Sequence, residues 1–433
     1  MTTTTAPTAG AKQRRAPAEL AALAERKRHR IIGIIMVLLG FAGFALFANG
    51  VDPAITSTFG LNTGSTSLIR LGDLVVPTQT TIIVLSSLAL FIGGYQVIRG
   101  FGKSTNAVLG LVILFFIASF LVWATGDKSI NLAAMLKSTL LRAVPLTLGA
   151  LSGVVSERSG VVNIAIEGMM LSAALTSSMV GSATKSLWIG LLAGIFTGIA
   201  LAAFHAVLSI KYRVDQVISG TVINIFSVGI TSFISAKFLS DFQNLNNPGI
   251  FPATPLPGLS AIPFIGPILF DGNFFLFAMF LLLVIVHVAL FYTRWGLRTR
   301  SVGEHPKAAD TLGINVFRTR YTAVLLSGAL AGLAGAYFTL GSVGRFDEGM
   351  TAGRGFIALA AVIFGNWTPF GAFGAALIFG FADSLQSRLA ILNVPIPSQF
   401  LLMAPYIATM IALAGLIGRT QAPAADGQPY TKE

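Results

Sequence analysis

Few side chains in this sequence could do chemistry, and those few sit in apolar surroundings. Glu167 follows Asn163 by four residues within the apolar stretch 161–180. If that stretch is one helix, both side chains share a face. An ionisable group at membrane depth is costly and usually faces a cavity or a partner. One reading makes Glu167 a polar contact on a translocation path. The other makes it a structural hydrogen bond, or the partner of Arg142 or Arg158. Asp383, in the stretch 370–388, carries the same two readings. Asn224 and His205 read first as structural, and His287 as interfacial. Asn163, Glu167 and Asn224 are nevertheless the candidates for polar lining of a substrate path.

The motifs of catalysis are missing. The chain has no G-x-x-x-x-G-K-[ST] sequence, hence no P-loop for ATP. An ATP-driven process would need its ATPase on another chain. There is no H-E-x-x-H and no G-x-S-x-G, and only four histidines occur. The chain reads as neither an enzyme nor a metal protein.

A second kind of candidate lies in a charged stretch, Tyr292 to Arg320. It carries six cations (Arg294, Arg298, Arg300, Lys307, Arg318, Arg320) against Glu304 and Asp310. Apolar runs flank it. A basic loop between spans belongs in the cytoplasm, and charge alone makes it a topogenic loop. Its middle, Glu304 to Leu312, can form a short helix. Pro306 stands near the start, where a missing N–H is harmless. Ala308 and Ala309 favour helix, and Gly313 can end it. A short helix held between two spans is a docking surface for a soluble partner.

The composition fixes what positions these residues. Of 433 residues, 54% are hydrophobic and 11% charged, with a mean hydropathy of +0.78. Soluble domains carry about 25% charged residues. The apolar segments are long and continuous, so an all-α, polytopic transmembrane bundle is expected, not a barrel. With no cysteine, disulfides and thiol chemistry are excluded. The net charge of +12 gathers at span ends, where orientation and anionic lipid explain it without nucleic acid.

Spans are expected at 31–48, 80–98, 107–124, 132–155, 161–180, 187–210, 217–239, 274–293, 321–340 and 399–417. The region 355–388 is broken at Asn366-Trp367-Thr368-Pro369, giving two short or re-entrant helices inside the bundle. The total is about ten to twelve spans. Gly190, Gly194 and Gly198 in one span, and Gly328 and Gly332 in another, suit close helix packing. Arg99, Lys103, Arg158, Lys211, Arg213, the loop 292–320, Arg419 and Lys432 fall on the inner side. The loop 241–273 has six prolines and no Lys or Arg, which places it outside. Both termini are then cytoplasmic. Four segments follow: a disordered basic tail (1–30), additional N-terminal spans (31–130), a core (131–418) holding the charged loop 292–320, and a cytoplasmic tail (419–433).

Three stretches carry a resemblance. G-E-H-P-K-A-A-D-T-L-G-I (Gly303 to Ile314) resembles the coupling segment of bacterial ABC-type importer permeases of the branched-chain amino acid, monosaccharide and nucleoside type. Arg300, Gly303, Ala308, Ala309, Gly313 and Ile314 match that pattern, while His305 stands where Asn is usual. S-E-R-S-G-V-V-N-I-A-I-E-G-M-M (Ser156 to Met170) is similar to the nucleoside branch. G-R-G-F-I-A-L-A-A-V-I-F-G-N-W-T-P-F-G-A (Gly353 to Ala372) resembles a third element of the family. The resemblance covers roughly residues 135 to 417.

It implies a cell-membrane permease subunit that imports nucleosides. A second permease subunit, identical or homologous, would complete the pore. Cytoplasmic ATP-binding cassette subunits would bind ATP and Mg, neither held by this chain, and would grip Arg300, Gly303, Glu304, His305, Pro306, Lys307, Ala308, Ala309 and Gly313. An extracytoplasmic binding lipoprotein would deliver the substrate. Sugar or branched-chain amino acid transport is the alternative within the family. An ion-coupled secondary transporter, with Glu167 and Asp383 as ion ligands, is the alternative outside it.

Overall fold

The structure, a computed structural model, describes residues 17–63, 70–392, 400, 403 and 421–432. They form two compact units.

The first unit holds residues up to Phe59 together with 74–129. Its helices are α1 (Pro17–Gly43), α2 (Thr78–Ile98) and α3 (Thr105–Ala124). Strands β1 (Thr56–Gly60) and β2 (Leu74–Pro77) pair antiparallel. Ile32, Met36, Ala89 and Val112 form its small core. A Cβ at Gly33 or Gly93 would strike the backbone of the facing helix, so α1 and α2 touch almost backbone to backbone.

The second unit takes in 60–73 and everything from Ile130. After the short β3 (Ser129–Asn131) come α4 (Leu132–Glu157), α5 (Ile166–Thr184), α6 (Leu187–Ala206) and α7 (Gln216–Ile234). The proline-rich loop contains β4 (Thr254–Pro255), α8 (Ile265–Leu269) and β5 (Asp271–Gly272), and β4 pairs with β5 to close it. There follow α9 (Phe274–Tyr292), α10 (Arg294–Glu304), α11 (Pro306–Thr311), α12 (Val316–Ala336), α13 (Arg354–Phe364) and α14 (Pro369–Ile391). Helices α6, α7 and α12 run on into π-helical turns.

Among the described residues, eight helices are long and apolar enough to cross a membrane. The chain is an all-α, multi-pass membrane bundle. Helices α4 and α12 are its centre, with 83% of their spanning windows buried. The break expected in 355–388 falls between α13 and α14. There Thr368 caps α14 by accepting from the Gly371 N–H, and Pro369 takes the first turn. The span expected at 399–417 lies outside the described residues.

Two expectations need correction. The stretch 161–180 is not one helix. Residues 161–165 are a turn, and α5 begins at Ile166, so Asn163 and Glu167 do not share a helix face. Asn163 instead turns its Oδ1 to the Ala165 N–H at 3.1 Å, satisfying a backbone donor ahead of the first helical turn. The charged stretch 294–304 is likewise not loop but α10, capped by the Thr293 hydroxyl.

The glycine series packs helices within the chain. A Cβ at Gly198 would meet Gly332 Cα at 2.7 Å, and one at Gly332 would meet Gly194 O at 2.6 Å. A Cβ at Gly190 would meet Ser177 O of α5 at 2.7 Å. Gly198→Leu must therefore push α12 away from α6. The expected outcome is loss of monodisperse protein after detergent extraction, while Gly229→Leu, which faces open space, extracts normally. Normal extraction of the Gly198 variant would remove the close packing from the account.

Candidate functional site

The motif Ser156–Met170 joins five elements at one end of α4. The Ser156 hydroxyl donates to Val161 O at 2.6 Å and holds the turn. The Arg158 Nε donates to Trp367 O at 2.9 Å in the α13–α14 break, and Trp367 Nε1 donates to the Glu157 carboxylate. Asn366 and Trp367 both adopt positive φ (53° and 52°), a strained conformation for such residues. Arg158 and Arg300 lie over the Phe291 ring, 5.7 and 5.0 Å from its centroid.

The expected coupling element consists of α10, α11 and the turn between them. Gly303 is buried, and its Cα faces the Arg158–Gly160 backbone so closely that no side chain fits. Gly160 has φ +85°, and a Cβ there would meet Ala425 O at 3.0 Å. Arg300 Nε donates to Leu290 O at 3.0 Å and ties α10 to the end of α9. His305 caps α11 by accepting from the Ala308 N–H at 3.2 Å, the role Asn would serve at that position. Pro306 takes the first turn, and Gly313 (φ +80°) follows the end. Ala309 is buried with Val302, Val316 and Tyr430. Glu304, His305, Lys307, Ala308 and Leu312 are exposed, Leu312 at 82%. One face is thus locked to the bundle while the other presents a small, rigid ridge.

The segment 421–432 is a part of this site that no sequence signal announced. It straps the inner face of the coupling element. Ala425 N donates to Gly303 O at 2.8 Å, and Gln421 N to Asn366 Oδ1 at 2.9 Å. Arg320, 1% exposed, donates from Nη1 to Gln428 O at 2.9 Å. Tyr430 packs on Phe317 with 5.3 Å between centroids, and Lys432 lies 3.8 Å from Asp310.

The polar candidates are all occupied by protein groups. Glu167 Oε1 accepts from the Thr351 hydroxyl (2.7 Å) and Gly353 N (2.8 Å), and Oε2 from Gly355 N (2.6 Å). It therefore anchors the start of α13. Asn163 Nδ2 donates to the Ser327 hydroxyl at 2.8 Å. Asn224 accepts from Gly168 N at 2.8 Å and donates to Ile164 O at 2.9 Å. None of the three lines the large cavity between α4 and the π-helical turn after α12, whose walls include Lys137, Arg142 and Arg354. Asp383 pairs with Arg142 at 2.7 Å. Among the described residues, no group of three or more acidic or histidine side chains could hold a metal ion.

A bundle of membrane helices with a short external helix locked to it by glycine is what an ABC permease needs. The chain belongs to the family described as branched-chain amino acid transport system, permease component, whose pattern matches residues 135–417. Two relatives are close. The guanosine ABC transporter permease protein NupQ of Bacillus subtilis is 44% identical over 312 residues, 70% of this chain and 97% of the relative. The nucleoside ABC transporter permease protein NupC of Lactococcus lactis is 40% identical over 318 residues, 70% of this chain and 98% of the relative. No solved structure matches the chain.

Burial holds Asp426 well above the ordinary carboxylic acid range, at about 7, against the lowering effects of the Gly427 N–H and Arg320. The protonated form is thus the one that docks. Strap docking is strongest at low pH and weakens as pH rises from about 4 through 7. Hydrogen exchange across 421–430, corrected for intrinsic rates, is expected to show less protection at pH 8 than at pH 6. Asp426→Asn is expected to reduce that difference. Equal protection of the unmodified chain at both pH values would refute the burial argument.

Proposed function

We propose that this chain is the membrane subunit of an ATP-driven nucleoside importer. The observation that carries the coupling half is the rigid ridge of α11, with Gly303 and Ala309 against the bundle and Ala308 and Leu312 facing out. The substrate half is supported by the two relatives named for guanosine and nucleosides. ATP and Mg bind on cytoplasmic partner subunits, which seat on α11. Their closure moves α11 as a lever. Because α10 is bonded to α9 and to the 158–160 turn, that motion reaches α4 directly. A second permease subunit completes the pathway, and an extracytoplasmic lipoprotein delivers the nucleoside. Both termini and the coupling element face the cytoplasm. Ion coupling is disfavoured, since Glu167 is saturated by three donors and Asp383 is paired with arginine.

Vesicles holding this chain, its partner permease, the ATPase subunits and the binding protein are expected to take up labelled guanosine only with ATP. Unlabelled nucleosides should compete, and glucose or leucine should not. Uptake that follows an ion gradient without ATP would overturn the class. ATP-dependent uptake of glucose or leucine alone would overturn the substrate. Separately, Ala308→Glu is expected to reduce ATPase co-purification about tenfold or more while leaving membrane insertion intact. Undiminished co-purification would mean the ridge is not the docking surface.

A further inference from the structure

The second unit contains a cavity of about 650 Å³. Small-molecule sites span roughly 300–1,000 Å³. Its α4 wall runs from Lys137 to Pro145, 20 to 12 residues before Glu157, which sets the cavity about 18 to 30 Å from that end of α4 along the helix axis.

Its walls carry cations, each of them paired with a carboxylate. Lys137 pairs with Asp271 at 2.7 Å. Arg142 and Arg354 both reach Asp383 Oδ2, at 2.7 and 3.6 Å. A phosphate would have to displace Asp383 from two arginines. A neutral solute rich in hydroxyls can bridge these pairs without breaking them. The apolar part includes aromatic rings. Phe338 lines the cavity with the Arg354 guanidinium 5.7 Å from its ring centroid, and Tyr337 stands beside it. A flat heterocycle suits such a wall.

The frame around the cavity is built to bend. Pro145 lies inside α4 and lacks the N–H that would reach the carbonyl four residues back. That carbonyl, Leu141 O, accepts the Tyr337 hydroxyl at 2.8 Å instead. Tyr337 opens the π-helical turn 337–343, and such turns recur at functional sites.

We infer that this cavity receives the transported nucleoside, with the base against Phe338 and Tyr337 and the ribose hydroxyls on the Lys137–Asp271 and Arg142–Asp383–Arg354 pairs. The inference rests on the nucleoside reading above. It predicts selection of nucleosides over their phosphates by the chain itself.

The test uses the absence of cysteine. Ser342 lines the cavity and is exposed, so Ser342→Cys places the only thiol of this chain inside it. In the assembled transporter, saturating guanosine is expected to slow thiol-reagent labelling of this chain about tenfold, while guanosine monophosphate, glucose and leucine leave it unchanged. Ser342→Trp, which fills the cavity, is expected to lower guanosine uptake by at least about tenfold while the ATPase subunits still co-purify. Guanosine uptake by the unmodified assembly, with no protection of Ser342→Cys and full uptake by Ser342→Trp, would overturn the cavity assignment and leave the substrate reading standing. No guanosine uptake by the unmodified assembly would overturn the substrate reading and the ligand named here with it.

Discussion

The second unit depends on backbone-to-backbone contact among α5, α6 and α12. Between membrane helices, lipid tails compete for apolar side chains as well as a neighbouring helix does. Attraction must then come from close packing, and dispersion falls off steeply with small gaps. On α6, Gly190 meets Gly181 of α5 and Gly198 meets Gly328 and Gly332 of α12, backbone against backbone. Gly335 of α12 meets the Met170 backbone of α5 in the same way. This block carries two sites of the second unit. One seats Gly303 on the 158–160 turn, and the other forms the aromatic wall of the cavity.

The two sites are linked through α4. Its Glu157 end binds the α13–α14 break through Trp367, and its Leu141 carbonyl holds Tyr337. The proline between these points makes α4 a rod with one soft place. A displacement at the coupling element can therefore change the cavity without disturbing the glycine block. The charged pairs near the cavity span three helices, α4, α13 and α14, so they report relative movement of those helices directly.

The sequence made α11 legible because its boundaries are local chemistry: Pro306 at the start, Gly313 after the end, alanines between. Helix α10 was not legible. Its buried positions are Gly296, Thr299, Val302 and Gly303, spaced as a helix demands but with one strongly apolar residue, Val302, to signal it. Asn163 was misplaced because Val161 and Val162 extend the apolar run past the true start of α5. Glu167 was rightly singled out as unusual. Its donors, however, come from residues 351–355, nearly two hundred positions away, and no local pattern reveals them. The cavity draws its walls from α4, the proline-rich loop and the end of α12, so it too exists only in three dimensions. The strap is hidden for the same reason, being short, polar and proline-containing, the composition of a free tail.

The strap has a consequence for how the protein is made. Chains fold in order of synthesis, N-terminal parts first. Every group that residues 421–432 grip, from Gly160 to Asn366, leaves the ribosome before they do. Until Ala425 and Gln428 arrive, Gly303 O lacks its donor and Arg320 lacks its acceptor. The exposed ridge of α11 thus reaches its final packing only once Tyr430 has been translated. Nascent and truncated chains would present an unfinished ridge, and assembly would favour finished molecules without any separate inspection step.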